Sequence, residues 1–124
     1  MSGVTAIAFT MYPVTDVARA FAFYRDKLGL RQEGMNEAWW VEFDVGGATF
    51  GVGDVPDNGT PGSAQSLILE VDDMKSFRAL LTQRGVESSE PHHTPYDCSI
   101  SKVQDPDGNT VWLHQKQRST QTPD

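Results

Sequence analysis

Apolar positions along this chain recur with two periods, and each run stops at a turn-forming residue. Val4–Val14 is β-branched and apolar and predicts a strand. Asp16 then predicts a helix cap. Val17, Ala20, Phe21, Tyr24 and Leu28 follow at helical spacing. In Leu28-Gly29-Leu30, Gly29 occupies the place of a left-handed C-terminal residue. Short strands are predicted at about Arg31–Asn36, Ala38–Val45 and Ala48–Val52. Pro56, Asn58, Gly59, Pro61 and Gly62 predict an unstructured linker, about 55–64.

The same order then recurs. Ser66–Val71 predicts a strand, and Asp72 or Asp73 a helix cap. The helix carries Met74, Phe77, Leu80 and Leu81, and Gly85 stops it. A strand near Val86–Ser89 leads into a loop, Glu90–Tyr96. Strands at Asp97–Gln104 and Asn109–Gln115 close the chain. Val14 aligns with Val71 and Asp16 with Asp73, an offset of 57 (71 − 14 and 73 − 16); the last turns, Gly47 and Gly108, are offset by 61 (108 − 47). The drift falls in loops, where insertions are tolerated. The period is too long for a solenoid unit. The reading is a single α+β domain over 1–124. Two tandem βαβββ modules, about 4–54 and 65–115, form a curved mixed sheet with a concave cleft; a polar tail, 116–124, follows.

Composition narrows the function classes. One domain is expected of 124 residues. A net charge of −7 leaves no basic footprint for nucleic acid. It is compatible with a cationic small ligand, though acidity that serves solubility alone is the favoured reading. A single cysteine, Cys98, excludes an internal disulfide and fits a reducing cytoplasm. No signal sequence and no apolar run long enough to span a bilayer are visible, so no membrane partner is expected.

Val14-Thr15-Asp16, Phe23-Tyr24-Arg25-Asp26, Leu28-Gly29-Leu30 and Asp105-Pro106-Asp107-Gly108-Asn109 carry a resemblance to the vicinal oxygen chelate superfamily. That superfamily includes glyoxalase I, fosfomycin-resistance enzymes, extradiol dioxygenases, methylmalonyl-CoA epimerase and bleomycin-resistance binding proteins. The resemblance runs from about Val4 to Gln115 and implies a homodimer. In metal-dependent members, His or Glu side chains, two from each half, hold a divalent ion for vicinal substrate oxygens. Counting from the motifs puts those positions at Phe9, Gly51, Ser66 and Trp112. None supplies a good metal donor. One step to either side, Thr10, Phe50, Leu67 and Val111 supply none either. The expectation is no metal and no cofactor.

By strand alternation, Phe9, Met11, Gly51, Ser66, Ile68, Glu70, Trp112 and His114 should line the concavity. The aromatic and apolar members either form a pocket for a small molecule or plug a space no longer used by metal. Trp112 offers a face to a planar or cationic ligand, and Glu70 could pair with a cation. His114 and Glu70, with Glu42 approaching from a neighbouring strand, are the acid/base or displaced-metal candidates. Trp39 and Trp40 should face opposite ways, one into the core and the other into the cleft or a dimer interface. His92 and His93 read as a solvated loop or a lid, and Cys98 as structural. The function expected is metal-independent binding of a small organic molecule, in the manner of the bleomycin-type resistance proteins. The alternative is a lyase, isomerase or dioxygenase-like enzyme with its site displaced to His114 and Glu70.

Overall fold

The computed structural model describes residues 2–116. The predicted polar tail lies, but for Lys116, outside the described residues. The first module runs β1 (Thr10–Pro13), α1 (Val17–Ala22), β2 (Arg31–Glu37), β3 (Trp40–Val45) and β4 (Ala48–Gly53). The second runs β5 (Leu67–Glu70), α2 (Met74–Gln83), β6 (His92–His93), β7 (Cys98–Gln104) and β8 (Thr110–Lys116). The βαβββ order is therefore written twice. Each module forms its own four-stranded mixed sheet, β1-β4-β3-β2 and β5-β8-β7-β6, with equivalent pairing in the two.

The helices form for the reasons visible in the sequence. Asp16 Oδ1 accepts the Arg19 amide at 3.0 Å and caps α1. Val17 and Ala20 face inward, and the helix continues as a π-helical turn, Phe23–Lys27, that buries Tyr24. Met74 and Leu81 anchor α2, whereas Leu80 is partly exposed. Gly29 and Gly85 both stand at φ +80° and end their helices as expected.

One core lies between the sheets and the helices. From the first module it takes Tyr12, Tyr24, Phe43 and Phe50; from the second, Leu69, Leu81, Val111 and Leu113. The turn Asp105–Asn109 joins the halves. Asn109 Nδ2 donates to Pro13 O and to Asp105 Oδ2, both at 2.9 Å. Its Oδ1 accepts the amides of Gly62 and Ala64. All the amide group's main bonding positions are thus used in a buried place. Asp105 Oδ2 also accepts the Tyr24 hydroxyl at 2.8 Å, and Asp107 receives both the amide and the hydroxyl of Thr15. Tyr12 bridges the strands, donating to Thr110 O and accepting from the Leu67 amide.

Four expectations are corrected. The first strand begins at Thr10, not Val4. Phe50 is the partner of Thr10, and β4 begins only two residues earlier, after the Gly46-Gly47 turn, so residues 4–7 have no strand beside them. Val86–Ser89 does not form a strand. Arg78 Nε donates to Ser88 Oγ at 3.0 Å and binds this stretch to α2; the amide of Ser89 reaches Lys102 O, and pairing resumes at His92 and His93, which were expected in a loop. The second module's first strand is Leu67–Glu70, shorter at both ends than Ser66–Val71. The linker contains a 3₁₀ turn, Pro56–Asn58.

Candidate functional site

The predicted site residues fall on the two sheet faces turned away from the core. On the first sheet, Met11 is registered with Gly51 and Glu42 opposes Gly51 across the other edge. Trp40 opposes Gly53 and shares this face. The Trp40 indole lies across both glycines. A Cβ built on Gly51 would stand 2.6 Å from Trp40 Cζ2, and one on Gly53 would collide with Trp40 Cε3. Only glycine leaves room for the ring there. Phe9 packs its edge on the same indole, ring centroids 5.5 Å apart. Trp40 is consequently 6 % exposed while Trp39 is 51 % exposed. Trp40 is the buried one of the pair, but it is buried on the cleft face.

Glu42 is fully engaged in holding this arrangement. Its Oε2 accepts the Trp40 indole N–H at 2.9 Å and its Oε1 accepts the Met35 amide at 3.1 Å. It thereby fastens the irregular stretch of β2 between Gln32 and Asn36. Glu42 lies on the first sheet and His114 on the second, and no contact joins them.

On the second sheet, Ile68 is registered with Trp112, and Trp112 with Lys102. The next row is Glu70, His114, Ile100 and His92, one residue from each of four strands. Glu70 Oε1 lies 2.6 Å from His114 Nδ1, and Glu70 Oε2 accepts the Lys116 amide at 2.9 Å. Partial desolvation raises the Glu70 pKa, but the Lys116 amide and the His114 ring outweigh it and hold the group below the ordinary glutamate value. The Trp112 indole N–H donates to Gln65 O at 3.1 Å, and Lys102 Nζ stands 5.6 Å from the ring centroid. Ser66 is exposed and precedes β5.

The structure therefore joins Phe9 with Trp40, Met11 with Gly51, Ile68 with Trp112 and Glu70 with His114. Among the described residues no hydrogen bond, ion pair or aromatic contact joins the pairs on the first sheet to those on the second. One groove of about 360 Å³ touches Glu70, but beside Leu28, Leu69 and Phe77 on the helix side. Another, of about 860 Å³, lies between Phe23, Lys27, Val86 and Gln104. Trp40 is the residue that sequence reasoning failed to assign. The available signal was Gly51-Val52-Gly53 on one strand opposite a tryptophan of matching parity on the next.

The positions that counting from the motifs assigns to the superfamily's ion do not suit one. They offer two aromatic rings, a hydroxyl and a backbone, with the Trp40 indole laid over the glycine. Among the described residues, no three or more His, Cys, Asp and Glu side chains converge. His92 and His93 point to opposite sides of β6. Cys98 is half-buried, with its Sγ 3.0 Å from Thr94 Oγ1. Among the described residues no helix is long and apolar enough to cross a membrane.

The comparisons with known proteins agree with this architecture. TnmS3, an antibiotic binding protein from Streptomyces sp. CB03234, superposes with a TM-score of 0.82 at 27 % identity, over 94 % of this chain and 99 % of its own. A glyoxalase/bleomycin resistance protein from the same strain gives 0.75 at 30 % identity, over 89 % and 100 %. Lactoylglutathione lyase from Agrobacterium tumefaciens gives 0.78 at 21 % identity, over 91 % and 95 %, a likeness of fold. No curated protein sequence matches. The family model for the Glyoxalase/Bleomycin resistance protein/Dioxygenase superfamily matches residues 6–113, and the chain belongs to that superfamily.

Proposed function

We propose that this protein binds a small organic molecule against the outer faces of its sheets without a resident metal, and that it does so as a homodimer. The observation that carries the reading is the Trp40 indole lying on Gly51 and Gly53, with Phe9 against it, where metal-dependent relatives need a donor. The first sheet's face is apolar and aromatic there, and the second sheet's face holds two polar groups, His114 and Glu70, in fixed position; a small-molecule site uses both kinds of lining. The antibiotic-binding relative, alike over nearly the whole length of both chains, supports the same role.

Dimerisation is argued from surface left bare. Val4 and Ile7 are 98 % and 85 % exposed, and Ile68 is 60 % exposed. Exposed apolar surface is what a partner chain commonly covers. A second copy that seats on these faces would also enclose a ligand that one chain leaves open. The lone half-buried Cys98 suits a cytoplasmic setting.

The test combines a thermal-shift screen of aromatic metabolites and antibiotics with light scattering on the eluting protein. Stabilisation by at least one class, lost in Trp112→Ala, and a mass of two chains are expected. A monomer that no compound stabilises would refute both parts. A second reading, an enzyme with His114 as base positioned by Glu70, is favoured by the 2.6 Å contact between them. Turnover lost in His114→Ala, with binding retained, would select it.

A further inference from the structure

We infer that the outer face of the second sheet selects planar aromatic ligands that carry an ionisable hydroxyl, a phenol or an enol, whose oxygen is held between Lys102 and His114. This rests on the small-molecule reading above and names the ligand class.

The overall charge of −7 is compatible with a cationic ligand, but the local charge on this face points the other way. Strand register places Lys102, Lys116, His114 and His92 on it against one carboxylate, Glu70. Both Glu70 oxygens are occupied, one by His114 and one by the Lys116 amide. Cys98, opposite Lys116, is the remaining titratable group there, and it is engaged with Thr94. Among the described residues, Lys102 has no carboxylate within ion-pair distance; it rests over Trp112.

The hydrogen-bonding demand follows from the histidine tautomer. A carboxylate at Glu70 accepts only, so His114 Nδ1 carries the proton between them. In the neutral ring Nε2 then presents a lone pair. Lys102 opposes Trp112, two residues before His114 on β8, so it is the diagonal neighbour of His114 on the same face, about 7–8 Å away between Cα atoms. Its ammonium stands 5.6 Å from the Trp112 centroid, and the side chain is long enough to swing across that gap to a ligand atom beside His114. The pair thus offers one acceptor and one cation to a single ligand atom. A hydroxyl satisfies both: it donates to Nε2 and accepts from the ammonium. If the proton passes, it moves from the ligand oxygen to Nε2. The resulting phenolate lies beside Lys102, and the imidazolium beside Glu70. A methyl ether lacks the proton, and an ammonium is repelled by Lys102. The ring of the ligand rests on Ile68 and Trp112, whose indole is held by Gln65 O.

The probes are 4-nitrophenol, whose absorbance separates phenol from phenolate, 4-nitroanisole and 4-nitrobenzylamine. Each is titrated into the full chain with absorbance and tryptophan fluorescence recorded. The bound phenol is expected to ionise at least about one pH unit lower than the free probe, a tenfold change in its ionisation constant. Lys102→Gln and His114→Asn should each remove most of that shift while circular dichroism stays native. The ether and the amine should bind at least about tenfold more weakly. Equal binding of the ether, or an ionisation shift retained in Lys102→Gln, overturns the ligand class and leaves the small-molecule reading standing. No binding by any of the three overturns the ligand class, and the small-molecule reading falls with it only if the thermal-shift screen also finds no stabilising compound.

Discussion

Replacing Gly51 by alanine asks a direct question of the Trp40 arrangement. The new methyl carbon would stand 2.6 Å from Trp40 Cζ2, where ordinary contact begins near 3.4 Å. The ring must therefore withdraw by about 0.8 Å (3.4 − 2.6). It cannot do so freely, because Glu42 holds its N–H and Phe9 packs on its face. Overpacking of this kind costs about 1–3 kcal/mol. At about 4 °C per kcal/mol for a chain of this size, the expected fall in Tm is about 4–12 °C. In a Trp40→Val background the obstruction is gone. The same Gly51→Ala change should then be neutral or gain up to about 1 kcal/mol, since alanine is the better strand residue. Urea unfolding of the four proteins, followed by far-UV circular dichroism, closes the cycle. A coupling of at least about 1 kcal/mol is expected. Additive effects, or an unchanged Tm for Gly51→Ala alone, would refute the placement of the indole on the glycines.

Two further outcomes follow from the polar contacts. Tyr24→Phe leaves the buried Asp105 carboxylate one donor short and should cost about 1–3 kcal/mol in urea unfolding. Burial, reinforced by Asp105, raises the Tyr24 pKa above its ordinary value, so the group's contribution is present below about pH 10 and falls away as pH rises further. The variant should therefore lose less stability than the parent between pH 9 and 11, read at roughly those settings. Glu70 behaves with the opposite sign. Its folded-state pKa is lowered, so its stabilising effect is present above the ordinary carboxylate range and lost as pH falls through it. Glu70→Gln should lower Tm slightly near neutrality, with the gap to the parent closing in acid; a gap that widens in acid would contradict the His114 pairing.

Much of the fold was legible because local signals and periodicity agreed. Asp16, Gly29 and Gly85 mark helix ends by backbone chemistry that needs no tertiary context. The Asp105–Asn109 motif was visible as a turn, but its role as the joint between modules was not. That role depends on partners such as Tyr24 and Pro13, more than eighty residues away. Residues 4–7 have the composition of a strand, yet a strand needs a neighbour, and β4 is too short to supply one. Val86–Ser89, predicted as a strand, is tied to α2 by a side chain, Arg78, that no periodicity reveals. The Glu70–His114 pairing was accessible from parity alone, because parallel strands put both on one face. The burial of Trp40 on that side of the first sheet was not, because it depends on the absence of side chains at Gly51 and Gly53.

The central question is whether the outer faces of the sheets can hold an ion. The purified chain would be incubated with Zn²⁺, Ni²⁺, Mn²⁺ and Fe²⁺ in turn, desalted, and assayed by elemental analysis. Retention far below one ion per chain, the same in His114→Ala as in the parent, is the predicted result. One tightly held ion per chain, released by His114→Ala, would contradict it.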